Sequence, residues 1–363
     1  MTVIERIRRA PATPWIIGGA LVVLLALMPV LNLSLPGILP GPTYTAGALQ
    51  LIAFAMVFAA LALSYHLLFG VAGLLSFGHA LYFALGAYGL GIVLRDTQLA
   101  LVPAMAVVLL GAVVLASALG ALSLRVTGIA FAMVTLAFAQ AGSVLVRRNA
   151  AITNGEEGLP LTVANIPAEL VGVVNTRNVY WIALALLVVV FLIVTWFERS
   201  RAGHVVVAAR ENELRVRVLG MTPYTVRLMI VVLAGTLAAL IGMVYLLLQS
   251  GVTPAVTTPD FTLTLLVIVV LGGVGSRWGA VVGGIVYTLL DQRLTALSRS
   301  EAIADLPDVL RIPLSEPLFI LGTLFILVVV LLPGGLAGIA RRATARLARQ
   351  RPDSASSPLK EAR

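Results

Sequence analysis

Long apolar blocks, separated by short polar joints, run the length of the chain. Ten of them read as helices surrounded by lipid or by other helices. They are 15–31, 45–69, 70–94, 99–124, 128–146, 180–197, 226–249, 263–274, 278–290 and 318–332. A bilayer core takes roughly 20 apolar residues as a helix, so most of these blocks match one crossing. The eighth and ninth are shorter and read as two crossings or as a re-entrant pair. The pattern predicts an all-α membrane protein with about ten transmembrane or re-entrant helices.

Basic residues sit in the joints and orient the blocks. They cluster at Arg6, Arg8 and Arg9, again over 199–217, and again from Arg341 to Arg363. The positive-inside tendency places all three clusters, and both termini, in the cytoplasm. Six segments precede 199–217 and four follow it, the even numbers that this topology needs. Arg147 and Arg148 run against it, because they fall at the outer end of the fifth segment. The N-terminus resembles a signal peptide, yet Pro29 and Pro36 follow the apolar run without a small-x-small cleavage site. It is expected to stay as the first helix. The chain thus divides into 1–44 (cytoplasmic N-terminus and first helix), a membrane core over 45–340, and a basic tail over 341–363. The core carries a cytoplasmic segment, 198–225, and an outward loop, 149–178.

Composition removes several alternatives. Hydrophobic residues make up 60% of the 363 and charged residues 11%, whereas a soluble domain carries about 25% charged residues. There is no cysteine, which excludes disulfides, thiolate metal sites and cysteine nucleophiles. His66, His79 and His204 lack paired-ligand spacing, so no metal and no cofactor is expected. The net charge of +9 follows the topology rather than forming a nucleic-acid surface. A phosphate-binding loop needs Gly-Lys-Ser or Gly-Lys-Thr, and the only lysine is Lys360, in the tail. Any ATP hydrolysis therefore happens on another polypeptide. Asp260 and Asp291 lie at segment edges, and no carboxylate falls deep inside a predicted segment. That argues against coupling to a proton or sodium gradient. With no Ser/His/Asp constellation either, no catalytic residues are expected.

The joint from Ser200 to Pro223 is richer. Val207, Leu214 and Val218 fall on one helical face at i, i+7 and i+11. Glu211 with Arg215, and Glu213 with Arg217, are acid-first i,i+4 pairs. Gly220 supplies a stop and Pro223 prevents continuation. This predicts one amphipathic helix over 205–220 on the cytoplasmic surface. Such a helix suits anionic headgroups and equally suits a groove on a soluble partner.

Glycines mark two further regions. Gly70, Gly73, Gly78, Gly86, Gly89 and Gly91 punctuate the third segment, and Gly272, Gly273, Gly275, Gly279, Gly283 and Gly284 the eighth and ninth. Gly275, Gly279 and Gly283 form one stripe if the helix is continuous there, and such stripes let backbones approach closely. The density at 272–275 can break a helix instead. If segments two to five and seven to ten are two halves, interrupted helices in matching positions point to an inverted repeat and a pathway. Tight packing is the plainer use. His79, close to Ser76, reads as a structural hydrogen-bonding residue rather than a proton relay. In the outward loop, Thr153-Asn154-Gly155-Glu156-Glu157-Gly158 is a turn-rich acidic stretch. It reads as a solvated connector or as a docking surface for an extracytoplasmic partner.

Five stretches, in order, resemble the motifs of branched-chain amino-acid ABC permeases. They are Gly73-Leu74-Leu75-Ser76-Phe77-Gly78-His79 with Gly86-Ala87-Tyr88; the run from Gly128 to Gln140; and Thr153 to Leu159, with Asn154 where glycine is more usual. The last two are Ser200-Arg201-Ala202-Gly203 leading to Ala209-Arg210-Glu211-Asn212-Glu213 and Leu219-Gly220, and Leu271 to Ser276 with Trp278-Gly279. The resemblance implies an importer fold of roughly ten helices in a bacterial inner membrane. It implies a second homologous permease, two ATPase subunits and a periplasmic substrate-binding protein as partners. Arg210, Glu211, Asn212, Leu219 and Gly220 would contact the ATPase. Gly73, Ser76, His79, Gly86, Gly272, Gly273, Gly275, Gly279 and Gly283 would line or shape the pathway. Branched-chain amino acids are the expected cargo, with urea, short amides or small aromatic acids as alternatives. A stand-alone channel or a secondary transporter is the rival class.

Overall fold

A computed structural model describes residues 13–34, 39–172, 175–298, 316–331 and 334–338. Arg6, Arg8, Arg9, Pro36 and the 341–363 tail lie outside the described residues. Helices occupy the apolar blocks in order: α1 (Thr13–Leu27), α2 (Ala46–His66), α3 (His79–Asp96), α4 (Leu101–Ser123) and α5 (Ile129–Arg148). A single turn, α6 (Ala150–Thr153), opens the loop after α5, and α7 (Thr176–Arg199) returns from it. Then come α8 (Arg201–Glu211), α9 (Glu213–Val218), α10 (Pro223–Gln249), α11 (Pro259–Gly272), α12 (Arg277–Ser298) and α13 (Pro317–Leu331).

Among the described residues, five helices are long and apolar enough to cross a membrane, and a sixth span results if α11 and α12 count as one. Those two are bent by 118° at their junction, a broken span or a re-entrant loop. The chain is a multi-pass membrane protein. Helices dominate because hydrocarbon offers no partner to a free N–H or C=O, and a helix satisfies both internally.

The core lies along α2, which touches α7, α10, α11 and α12, while α10 also packs on α3 and α4. From Ala55 to Leu68 every α2 side chain and its continuation is buried. By contrast α4 turns a row of exposed apolar residues outward, Val102, Leu110 and Val114 among them. This is the gradient expected when one helix is sheathed by its neighbours and another faces lipid.

The predicted third segment, 70–94, starts too early. A π turn, Leu67–Val71, ends the α2 stretch, and the backbone is then unwound until α3 starts at His79. Hydropathy is uninterrupted here, so the break comes from glycine and not from polarity. Gly73 adopts φ 67°, a left-handed conformation that residues with a Cβ rarely take. On the other face, Leu159–Pro160 pairs antiparallel with Gly251–Val252, with Leu159 opposite Val252. This two-stranded clip joins the loop after α5 to the end of α10.

Candidate functional site

The segment read as cytoplasmic is two helices, not the single one expected over 205–220. Asn212 ends α8 in an extended conformation, and its side-chain oxygen accepts from Arg215 N at 2.9 Å, capping α9. Asparagine is a strong N-cap because it satisfies one of the first turn's orphan N–H groups. Ser200 caps α8 in the same way, accepting from Gly203 N at 3.1 Å. A Cβ on Gly203 would lie 2.2 Å from the Phe197 carbonyl oxygen, so glycine permits the tight α7–α8 corner. At the other end, Met221 N bonds Val216 O and Gly220 N bonds Arg217 O, with Gly220 at φ 79°. That is the Schellman arrangement, and it bears out the stop read at Gly220. Replacing Asn212 with alanine should cost about 1 kcal/mol locally. Faster amide hydrogen exchange across α9, with the membrane helices unchanged, is the expected readout.

The break at Asn212 also changes the ion pairs. Glu211 and Arg215 do not pair; Glu213 meets Arg217, as predicted, and also Arg227 of α10 at 2.7 Å. Burial pulls the Glu213 carboxyl upward, but the hydrogen bonds and charges of Arg227 and Arg217 outweigh it and hold it below the ordinary range. A depressed carboxylate stabilises the fold above its ordinary value of 4.5 and loses that contribution as pH falls through the depressed value. Exchange protection of α9 should therefore be flat from pH 7 to about 5 and drop below about 4.5 in this chain. The drop should be absent in Glu213→Gln.

Of the predicted contact residues, Arg210 is exposed but reaches back toward the unwound segment. Its guanidinium donates to the Gly70 carbonyl, and its stem lies under Gly73, where a Cβ would meet it at 2.9 Å. Glu211, Asn212, Leu219 and Gly220 stay exposed. The predicted apolar face is exposed as well: Leu214 is 72% and Val218 79% accessible, beside Val207, Leu219 and Met221. Val206, Ala209 and Val216, on the opposite side, do the burying.

The unwound segment between α2 and α3 is held by side chains from distant helices. Phe77 N donates to Thr135 of α5 at 3.0 Å, Ala80 N to Thr262 of α11 at 3.0 Å, and Gly78 N to Ser76 Oγ at 3.2 Å. Tyr65 OH donates to the Ser76 carbonyl at 3.1 Å. His79 is fully buried and bonds Ser64 Oγ through Nε2 at 2.8 Å; Ser64 in turn donates to Leu61 O. The structure thus gives His79 the interhelical hydrogen bond read for it. Non-helical backbone at membrane depth needs such partners.

The glycines mark backbone contacts. A Cβ on Gly86 would lie 1.9 Å from the Ala239 carbonyl oxygen of α10, and one on Gly242 would lie 2.1 Å from Phe83 O of α3. On the opposite pair, a Cβ on Gly284 of α12 would sit 2.5 Å from the Ala59 Cα of α2. The stripe of Gly275, Gly279 and Gly283 is not continuous, because α11 stops at Gly272 and α12 begins at Arg277. Gly272, Gly279 and Gly283 instead face each other across the hairpin, with a Gly272 Cβ 1.9 Å from Gly279 O. Gly273 (φ 112°) and Gly275 (φ 82°) make the turn.

Two groupings were not foreseen. Glu198, at the end of α7, bonds His66 of α2 through one oxygen and Arg277 of α12 through the other, both at 2.9 Å. These residues are far apart in sequence, and nothing local signals that they meet. The second is a cavity of 320 Å³ at the end of the bundle away from α8 and α9, where Gln50, Gln249, Gln292 and Arg293 face Leu51 and Phe54. In the loop between α5 and α7, Asn154 takes a left-handed φ of 63°. That explains why glycine's usual place tolerates asparagine, the residue that visits this region most readily after glycine. Arg147, which ran against the charge rule, lies 3.8 Å from Glu156 of the same loop.

Residues 47–340 match the family described as branched-chain amino acid transport system / permease component. The chain is 26% identical over 321 residues to the high-affinity branched-chain amino acid transport system permease protein LivM of Escherichia coli (strain K12), covering 81% of this chain and 71% of that protein. It is also 26% identical over 330 residues to LivM of Salmonella typhimurium, with the same coverage of each. With the match spanning nearly the whole membrane core, the chain belongs to the branched-chain amino acid transport permease family, whose members are permease components of multi-component transport systems.

Proposed function

We propose that this chain is the translocating permease subunit of an ATP-driven importer in a bacterial inner membrane. It works with a second homologous permease, two ATPase subunits and a periplasmic substrate-binding protein. The observation that carries the reading is the α8–α9 surface, where Val207, Leu214, Val218, Leu219 and Met221 are exposed. Water disfavours a cluster of this kind, and a helix-in-groove contact is a common way to cover one. Glu211, Asn212, Leu219 and Gly220 then meet the ATPase. Arg210 acts behind them, tying the surface to the Gly70–Gly73 backbone, so that displacement of α8 pulls on the unwound segment.

In this reading segments two to five and seven to ten are the two halves of an inverted repeat, with both termini inside. Reciprocal packing supports it: α3 of the first half leans on α10, and α12 of the second leans on α2. Gly73, Ser76, His79 and Gly86, with the Gly272–Gly283 hairpin, shape the pathway between them. The domain limits read from the sequence, 45–340 for the permease core and 198–225 for the coupling segment, are kept.

The cavity lined by Gln50, Gln249, Gln292 and Arg293 supports an amino-acid cargo. A guanidinium suits a carboxylate, and Leu51 and Phe54 suit an aliphatic side chain. Its three glutamines also favour a second reading, in which urea or a short amide is carried. Reconstitution tests the whole scheme. Labelled leucine should accumulate in liposomes only when the second permease, the ATPases and binding protein are present with ATP. Concentrative uptake by this chain alone would end the proposal, and urea uptake without leucine uptake would favour the second reading.

A further inference from the structure

Two breaks in the apolar helices are gripped by one side chain. The first break follows the π turn Leu67–Val71, and His66 is the last α2 residue before it. The second is the turn between α11 and α12, and Arg277 is the first residue after it. Glu198, in the last turn of α7, takes a partner from each. His66 Nε2 meets its Oε1 and Arg277 Nε its Oε2, both at 2.9 Å. A carboxylate only accepts, so His66 carries a hydrogen on Nε2. The His66 side chain is 1% exposed, and a Cβ on Gly70 would lie 2.3 Å from its Nδ1. So little room is left for the ring to turn that a shift of Glu198 passes on to the π turn.

Glu198 is joined as firmly to α8. Phe197 O accepts from Ser200 N at 3.0 Å and from Ser200 Oγ at 2.6 Å, and a Cβ on Gly203 would meet the same oxygen at 2.2 Å. The α7–α8 corner is thus a closed elbow without slack. Near its far end α8 is held by Arg210 to the Gly70 carbonyl, one turn beyond His66. Both ends of α8 therefore bear on the same π turn, and the Glu198 end also reaches the second break.

We propose that Glu198 is a positioning residue through which displacement of α8 moves both breaks together, one carboxylate oxygen for each. The inference rests on the importer reading above and names the residue that makes the two halves respond as one. The π turn is an apt target, with Ala72 N bonding Leu67 O at 3.1 Å, because such turns are frequent at functional sites. A plain clasp between three helices would add stability without setting how much cargo each ATP moves.

The test uses the reconstituted complex and labelled cargo, leucine or urea as the unaltered complex accumulates it. It reads ATP hydrolysed per molecule imported, beside the melting temperature of each variant. His66→Ala removes one arm and Arg277→Ala the other. Each should raise the ATP-to-cargo ratio about tenfold, within the range by which single residues modulate coupling. The double variant should be no worse than either single one, because arms acting through one carboxylate are not additive. Glu198→Ala should match it, and the arm variants decide the matter even where Glu198→Ala does not assemble. His66→Gln, whose amide keeps a donor for Oε1, should bring the ratio back to within about twofold. A lowered melting temperature with an unchanged ratio, multiplied effects in the double variant, or His66→Gln as poor as His66→Ala would overturn the inference. If the unaltered complex shows no ATP-driven uptake, the importer reading falls and takes the inference with it. Normal ratios in the single variants end the inference alone.

Discussion

Gly86→Leu should leave little folded protein, with a loss above about 3 kcal/mol, beyond the usual cost of overpacking. The reason is what the new side chain meets. At Gly91 the nearest atoms belong to the Leu159 side chain, which can rotate away, whereas at Gly86 they are the Ala239 carbonyl and Cα. Backbone inside a helix cannot move without taking its hydrogen bonds along, so α3 and α10 must separate. Gly242 makes the reverse contact on the same seam, which leaves no slack from the other side. The measurement is monodisperse yield and melting temperature in detergent, with Gly111→Leu as the comparison. A Cβ at Gly111 meets nothing within 4 Å, so that variant should lie within about 0.5 kcal/mol of the starting chain, the range of unconstrained surface changes. If Gly86→Leu and Gly111→Leu melt together, the α3–α10 seam is wrong.

The second large effect concerns coupling. Leu214→Ser combined with Val218→Ser should lower ATPase affinity by about a thousandfold, as expected when two buried anchors of an interface are truncated at about 2 kcal/mol each. Transport in the reconstituted complex should fall with it. The permease itself should be unaffected, because both side chains are more than two-thirds exposed and hold nothing in their own chain. The structure moves the weight onto these apolar residues and away from Glu211 and Arg215, whose expected pairing does not form. Full ATPase binding by the double variant would leave the α8–α9 surface without its proposed partner.

How much of this was legible in the sequence depends on the range over which each feature is decided. Long apolar helices are decided locally, so 99–124 was read within a residue or two of Leu101–Ser123, and 226–249 within three of Pro223–Gln249. The stop at Gly220 was legible for the same reason. The break at Asn212 was harder, because a periodic apolar face runs straight through it and only the capping oxygen interrupts the helix. Periodicity found the face of Val207, Leu214 and Val218 but could not say whether this chain covers it. The unwinding after Val71 was out of reach. Its backbone partners, Thr135 and Thr262, lie 58 and 182 positions from the groups they satisfy. The meeting of His66, Glu198 and Arg277 was hidden by the same separation.

The small clip between Leu159–Pro160 and Gly251–Val252 has a mechanical meaning. Leu161 N adds a bond to Ser250 O, and Thr257 bonds Ser143 nearby at 3.0 Å, so one face of the bundle is stitched partly through main chain. Beside α8 and α9 the helices are joined instead by ionic side chains, Glu198 with His66 and Arg277, and Glu213 with Arg227. If the two halves rock, they should swing like a book bound along its spine, with the widest excursion at the ionic edge.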